Sequence, residues 1–390
     1  MNEIRRCSKC ILPANFRNIY FDKNNTCNYC NTYDLLKDKL CNYDYLKKLL
    51  IERFDSVRGK YEYDCLVGIS GGKDSCYIAY TLVKDYNLRV LTFTYNNGFL
   101  SDYAKRNIDL VIKKLKLDHF YYSVDWSIHG KFYKSAIEKL GLPCLGCSYL
   151  GGILMNKLAY ERRIPFFVHG RSRAQMFKEL APGSLDAFVP FIKCNISPYN
   201  IHNVKNAGSD ALAMAFKLLN RVIPDEAHKK KIIENFFPDL HSYFNDAQIP
   251  EFLAFFLYEQ YDEKKMMDIL ERELGWKRPD STDILGHQDC IIHDAAIHLN
   301  YQVLGYPLLA QELSVMVREN DLTREEAMKR LYNEEALYNY PKGPMNELCK
   351  RTDIDEADIN KIIKRNRKKH KLMRLLIRIK YFIKKPILEI

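Results

Sequence analysis

Six consecutive residues, Ser70-Gly71-Gly72-Lys73-Asp74-Ser75, carry the densest chemistry in the chain. The glycines let backbone approach a ligand closely, Lys73 adds a point charge, and Ser70 and Ser75 add hydroxyls. The apolar run Cys65-Leu66-Val67-Gly68-Ile69 before them reads as a strand interior, and the pattern after Ser75 reads as a helix. Such a corner offers free backbone N–H groups and the positive end of a helix dipole. Its natural ligand is a phosphate chain.

The 12 cysteines form the second chemical signal. Cys7-x-x-Cys10 and Cys27-x-x-Cys30 are separated by 16 residues, the spacing of a four-thiolate zinc ribbon. The alternative is four unrelated thiols; a closed four-thiolate site would be structural rather than catalytic. Cys144-Leu145-Gly146-Cys147 is a separate pair, with Gly146 expected to let a loop wrap a metal just before a helix. A second metal site, an iron–sulfur cluster such as [4Fe-4S], and a redox thiol pair are its functional readings. Small core residues are its plain one. The third ligand to a cluster would be Cys290 or Cys194, while Cys65 and Cys76 read as packing residues and Cys41 and Cys349 carry no functional reading.

Elements must position these groups. Strand candidates are 64–70, 89–95, 119–124 and 165–170, with helical stretches at 73–86, 103–115, 130–140 and 148–162. That alternation implies an α/β fold with a parallel sheet covered on both faces, and ligands at the carboxyl ends of its strands. The expected division is a ribbon at 1–35, a linking helix at 36–60, the α/β domain at 61–205, a helical domain at 206–345, and a helix with a basic amphipathic tail at 346–390. Thr323 and Glu326 form a capping-box pattern before a helix.

Composition narrows the classes. A chain of 390 residues suggests two or three domains. Formal net charge is +11, yet residues 361–385 hold 12 Lys or Arg and no acid, which leaves the rest near neutral. Nucleic acid is therefore not the expected partner of the body. The opening MNEIRRCSKC lacks the apolar stretch of a signal peptide, and no run of 18 apolar residues exists. A cytoplasmic site is expected, with peripheral contact at the inner face of a membrane through the tail. There Leu372, Leu375, Leu376, Ile379, Phe382 and Ile383 share one stripe.

With SGGKDS after a strand, the sequence resembles the PP-loop ATP pyrophosphatases, or adenine nucleotide α-hydrolases. The resemblance implies a HUP-like parallel sheet and chemistry at the α-phosphate of ATP. Ser70, Gly71, Gly72, Lys73, Asp74 and Ser75 would cradle the pyrophosphate, and Asp74 would hold Mg2+. The opening CSKCILPANFRNIYFDKNNTCNYC looks like that of the N-acetyl sugar amidotransferases of surface-polysaccharide biosynthesis. Similar features follow at 275–276, 322–331 and 353–363, and the likeness is strong over about 1–100. It implies conversion of an acetamido group to an acetamidino group, with ammonia from a partner glutaminase. The Cys144–Cys147 pair looks more like the tRNA-thiolating branch. There a CxxC and a distant Cys hold an iron–sulfur cluster, and sulfur from a donor protein replaces the activated oxygen. Lys73, Asp74, Cys144 and Cys147 are the catalytic candidates on these readings.

Further candidates come from strand ends. His169, Arg171 and Arg173 sit where substrate belongs, the arginines suited to phosphates or a nucleotide-sugar diphosphate; two surface arginines in a loop are the plain alternative. Gln175 is a weaker candidate. Thr94, Asn96 and Asn97 would line the adenine or ribose pocket. The segment 283–294 gathers Asp283, His287, Asp289, Cys290, His293 and Asp294 and is expected to cap the site.

Overall fold

A computed structural model describes residues 4–177, 212, 215–277 and 289–384, with the side chains of Lys39 and 376–384 outside that description. Its centre is a five-stranded sheet in the order β3-β2-β1-β4-β5. The strands are β1 (Cys65–Gly68), β2 (Val90–Asn96), β3 (Asp118–Ser123), β4 (Phe166–His169) and β5 (Glu251–Ala254), and every pairing is parallel. The α/β parallel-sheet expectation is met, with the four sequence candidates each within two residues of a strand. β5 is an addition, because it lies in a stretch that reads as mostly helical. Its residues are followed at once by a buried turn, Phe255–Leu257, so the apolar run FLAFFL shows no clean period.

Both sheet faces are buried, as parallel strands require. Cys65, Val67, Phe166 and Val168 pack under the helices Tyr43–Val57 and Lys73–Lys84, while Leu66, Leu91 and Phe167 face Trp126–Leu140 and Cys144–Glu161. The chain runs β1, β2, β3 outward to one side and returns with β4 on the other side of β1. The topological switch therefore lies between β1 and β4, where an open α/β sheet holds its ligand.

Several boundaries differ from expectation. The helix expected from 130 starts at Trp126, because Asp125 accepts a hydrogen bond from the Ser127 amide and caps it. The stretch expected from 148 starts at Cys144, so both cysteines of that pair lie in the first turn of a helix and not in a loop before it. Gly146 answers to packing rather than to wrapping: a Cβ there would sit 3.0 Å from the Tyr133 ring. The segment 36–60 holds parts of two helices, Asn28–Leu40 and Tyr43–Val57, broken where the Asn42 side chain caps the second.

The ribbon segment and the C-terminal helices close the structure. Ile11 bonds the Ser314 hydroxyl, and the Arg324 guanidinium donates to the carbonyls of Cys7 and Cys10. The capping box of Thr323 and Glu326 is present. His293–Leu304, Lys342–Thr352 and Glu356–Lys384 pack around Phe99 and Tyr133. Among the described residues no helix is long and apolar enough to cross a membrane.

Candidate active site at the strand ends

The phosphate corner is built as its residue types demand. β1 ends at Gly68 and the helix Lys73–Lys84 begins four residues after Ile69. Gly71 has φ of +81°, and a Cβ there would fall 2.4 Å from the Ala104 carbonyl oxygen, so only glycine fits. Its carbonyl is held by the Trp276 indole N–H at 3.0 Å and the Asn107 amide at 3.4 Å. The Ser75 hydroxyl donates to the Gly72 carbonyl at 3.2 Å and accepts the Ser70 amide at 3.2 Å. These bonds brace a tight turn whose first-turn helix amides face the mouth of the sheet.

Lys73 and Asp74 sit in a small charged network. The Lys73 ammonium lies 3.6 Å from Asp74 and 3.6 Å from Glu263, and the Tyr261 hydroxyl donates to Asp74 at 2.9 Å. Burial disfavours the Lys73 charge, but Asp74 and Glu263 together outweigh it and raise its pKa, so it stays cationic. Tyr261 and Glu263 were missed in the sequence. Their signal is a short apolar run ending in a turn and an acidic helix cap, which places them at the carboxyl end of β5. Tyr261 also lines a cavity of about 520 Å³ with Tyr33, Tyr43, Arg173, Glu319 and Asp321.

The second strand end brings the cysteines in. Asn97, just after β2, donates its side-chain N–H to the Cys147 sulfur at 2.6 Å. Leu100 and Cys290 form a β-bridge, supported by Ser101 N–H to Asp289 O at 3.0 Å and Ile291 N–H to Phe99 O at 2.9 Å. Cys290 thus sits beside the start of the helix that carries Cys144 and Cys147. Burial pushes its thiol up, and the neighbouring Cys147 and Cys144 add to that. Burial likewise raises Cys147, against the pull of Tyr133 and Asn97. Asp289 reaches the phosphate corner: a Cβ on Gly72 would lie 3.8 Å from its carboxylate. Cys144, Cys147 and Cys290 approach one helix start without being gathered into one metal-binding set. Among the described residues their sulfurs do not all fall within 4.8 Å of one another. Cys194, Asp283 and His287 lie outside the described residues.

The four ribbon cysteines do meet. All are fully buried, with every sulfur within 4.8 Å of the others. Cys10–Cys27 and Cys7–Cys30 are 3.8 and 4.0 Å apart. A tetrahedral zinc site with Zn–S of about 2.3 Å has edges of about 3.8 Å, so the set fits a closed thiophilic ion.

The third strand end corrects one expectation and sharpens others. Gly170 follows β4 so closely that a Cβ would touch Ser75 at 3.3 Å, so this loop borders the phosphate corner. His169 accepts the Arg171 amide at 3.0 Å, and burial, then Arg171, lower its pKa to about 3, leaving it neutral. Arg171 is exposed at this edge. Arg173 is not poised for substrate. Its guanidinium is buried against Glu319 at 2.9 Å and also donates to Leu40 O, which ties the helix Arg173–Phe177 to the C-terminal region. Thr94 is buried, with its hydroxyl donating to Ile69 O at 2.8 Å, so it steadies the strand before the corner rather than facing a nucleotide. Cys65 and Cys76 are packed core residues, as their settings imply.

Comparison with known proteins adds three findings. Residues 298–375 match the family described as LPS biosynthesis protein WbpG-like, C-terminal domain. A probable sulfurtransferase of Methanocaldococcus jannaschii is 26% identical over 159 residues, which is 37% of this chain and 42% of that protein, so the chain spans well under two thirds of that relative. The U34-tRNA thiolase NcsA from Methanococcus maripaludis, solved with its [4Fe-4S] cluster, is 15% identical with a TM-score of 0.33, covering 86% of this chain and 90% of that one. That overlay is too loose to carry weight. The SGGKDS corner at a strand-to-helix turn of a parallel sheet resembles that of the PP-loop ATP pyrophosphatases, and the two sequence matches each cover only part of the chain.

Proposed function

We propose that the protein is an ATP-dependent enzyme that amidates an N-acetyl sugar, free or as a nucleotide sugar, in surface-polysaccharide biosynthesis. The observation that carries the ATP chemistry is the braced SGGKDS corner at the β1/β4 switch point, with Lys73, Asp74 and Glu263 beside it. The WbpG-like match over 298–375 supports the sugar. In this reading the acetamido oxygen attacks the α-phosphorus of ATP and pyrophosphate leaves. Ammonia then adds to the activated carbon, and AMP departs with the oxygen. Lys73 and the first-turn amides hold the departing pyrophosphate, which develops charge as the P–O bond breaks. Asp74 and Glu263 would hold Mg2+, which supplies Lewis acidity to the phosphates. Arg171 at the β4 end is the candidate for the sugar's phosphates. A partner glutaminase supplies ammonia, and the ribbon thiolates hold a structural zinc.

A second reading is favoured by one specific observation, the seat of Cys290 beside Cys147 and Cys144 and next in sequence to Asp289, whose carboxylate reaches the Gly72 corner. Those thiolates would hold a cluster and the displacing atom would be sulfur, in line with the sulfurtransferase match. The test is pyrophosphate release with an N-acetyl nucleotide sugar, given ammonium or sulfide, with the product weighed by mass spectrometry. Nitrogen in place of oxygen supports amidation. Sulfur in place of oxygen, with iron and sulfide lost in Cys144→Ala, supports the second reading. No pyrophosphate release under either condition overturns the nitrogen and sulfur readings for this acceptor.

A further inference from the structure

The helix Glu356–Lys384 presents two different sides. Ile359, Ile362 and Asn366 are buried against the body, and the Asn366 amide donates to Glu138 O at 3.1 Å. Two turns on, the Arg374 guanidinium donates to Asn15 O at 2.9 Å and lies over the Tyr306 ring. That side is committed to the fold. On the other side Leu372 is 57% exposed and Leu375 54%, with Met373 at 43% beside them. Lys364, Arg367, Lys368, Lys369 and Lys371 are exposed around them. Exposed leucines are costly in water, and here they stand in the most basic stretch of the chain.

We propose that this helix docks on an anionic lipid surface, with Leu372 and Leu375 entering the interface and the cations on the headgroups. Both halves of the pattern are explained together: apolar side chains enter the acyl boundary while Lys and Arg meet anionic lipid. The sequence continues it, with Leu376, Ile379, Phe382 and Ile383 spaced at the helical period, Arg378 and Lys380 between them, and Lys384 and Lys385 after. A second copy of this chain fits worse, because it would set one block of 12 cations against another. A nucleic acid would answer to the cations and leave the leucines unexplained.

The test is co-sedimentation of the full chain with phosphatidylcholine vesicles, alone and mixed with phosphatidylglycerol, beside a Leu372→Ser/Leu375→Ser variant. Both residues are exposed and belong to no part of the candidate site, so circular dichroism and pyrophosphate release should be unchanged in the variant. The expected result is binding at least about tenfold stronger to the mixed vesicles, weakened by salt and reduced about tenfold in the variant. Equal binding to both vesicle types, or no binding, overturns the proposal. So does a variant that binds mixed vesicles as well as the parent does. A concentration-dependent dimer abolished by the variant, with no lipid binding, would assign the face to a second copy.

Discussion

Asn97 donates its amide N–H to the Cys147 sulfur at 2.6 Å, while its own carbonyl oxygen accepts the Phe99 amide at 2.8 Å. One side chain thus fixes both the turn after β2 and the orientation of a thiol at the start of a helix. Burial raises the Cys147 pKa, and the Asn97 N–H opposes that rise by favouring the thiolate. Asn97→Ala should therefore move the Cys147 titration further up, because the bond that favours the thiolate is lost. Iodoacetamide labelling of metal-free protein against pH, read by peptide mapping, measures it. An unmoved inflection would remove Asn97 as the positioning residue of this thiol.

Arg173 and Glu319 are both nearly inaccessible, with side chains 2% and 6% exposed. Arg173→Ala should cost about 3–5 kcal/mol, because it leaves Glu319 buried and unpaired. The double change Arg173→Met/Glu319→Leu should recover most of the loss, since no buried charge remains. Urea midpoints decide between them. A single variant within about 1 kcal/mol of the parent would return Arg173 to the substrate-facing role its strand-end position suggests.

That suggestion failed for a physical reason. A strand-end arginine reads as a ligand group from position, but its partner lies 146 residues away on a helix no local pattern connects to it. The phosphate corner was legible because its chemistry is contiguous: two glycines, a lysine and two serines at one strand-to-helix turn. The ribbon was legible for the same reason, through its fixed spacing. Cys290 was legible only as a candidate, since the Leu100–Cys290 bridge that seats it joins distant segments. Tyr261 and Glu263 were not legible, because β5 and the turn after it lack a clear period, whereas Trp276 was legible only within the resemblance at 275–276 and not as a partner of Gly71. Asn97 reads from its strand-end position as a residue of the nucleotide pocket, and its bond to Cys147, 50 residues on, has no local sequence signal.

Asp321 lines the cavity beside Tyr261, and its carboxyl is pushed up to about 6, first by burial and then by Glu319. An acid whose folded pKa is raised favours the fold most at low pH, and that contribution is lost as pH climbs from about 4 through 6. Asp321→Asn should flatten the stability profile across that window and raise stability at pH 7 by under about 1 kcal/mol after solvent screening. Thermal melts at pH 4 to 7 read the slope. An equally steep decline in the variant would mean that other acids carry it.

Metal removal should loosen more than the ribbon. Because Ile11 bonds Ser314 and Arg324 holds the carbonyls of Cys7 and Cys10, chelation should lower Tm by more than about 5 °C. It should also speed amide exchange in Leu309–Glu319. Zinc returned to the protein should restore both, whereas exchange unchanged in that helix would make the ribbon an independent unit.

Gly71→Ala gives the sharpest check on the corner. The new methyl meets the Ala104 carbonyl at 2.4 Å and sits at φ of +81°, so the turn must shift. The backbone term alone is about 1–3 kcal/mol, and the displaced amides no longer converge on one anion. Pyrophosphate release should fall by at least about a hundredfold, the scale lost with one oxyanion donor, while urea unfolding shows only the smaller backbone penalty. Gly152→Ala is the control, since nothing lies within 4 Å of a Cβ there. Equal turnover in the Gly71 and Gly152 variants would mean the phosphate chain does not sit on this turn.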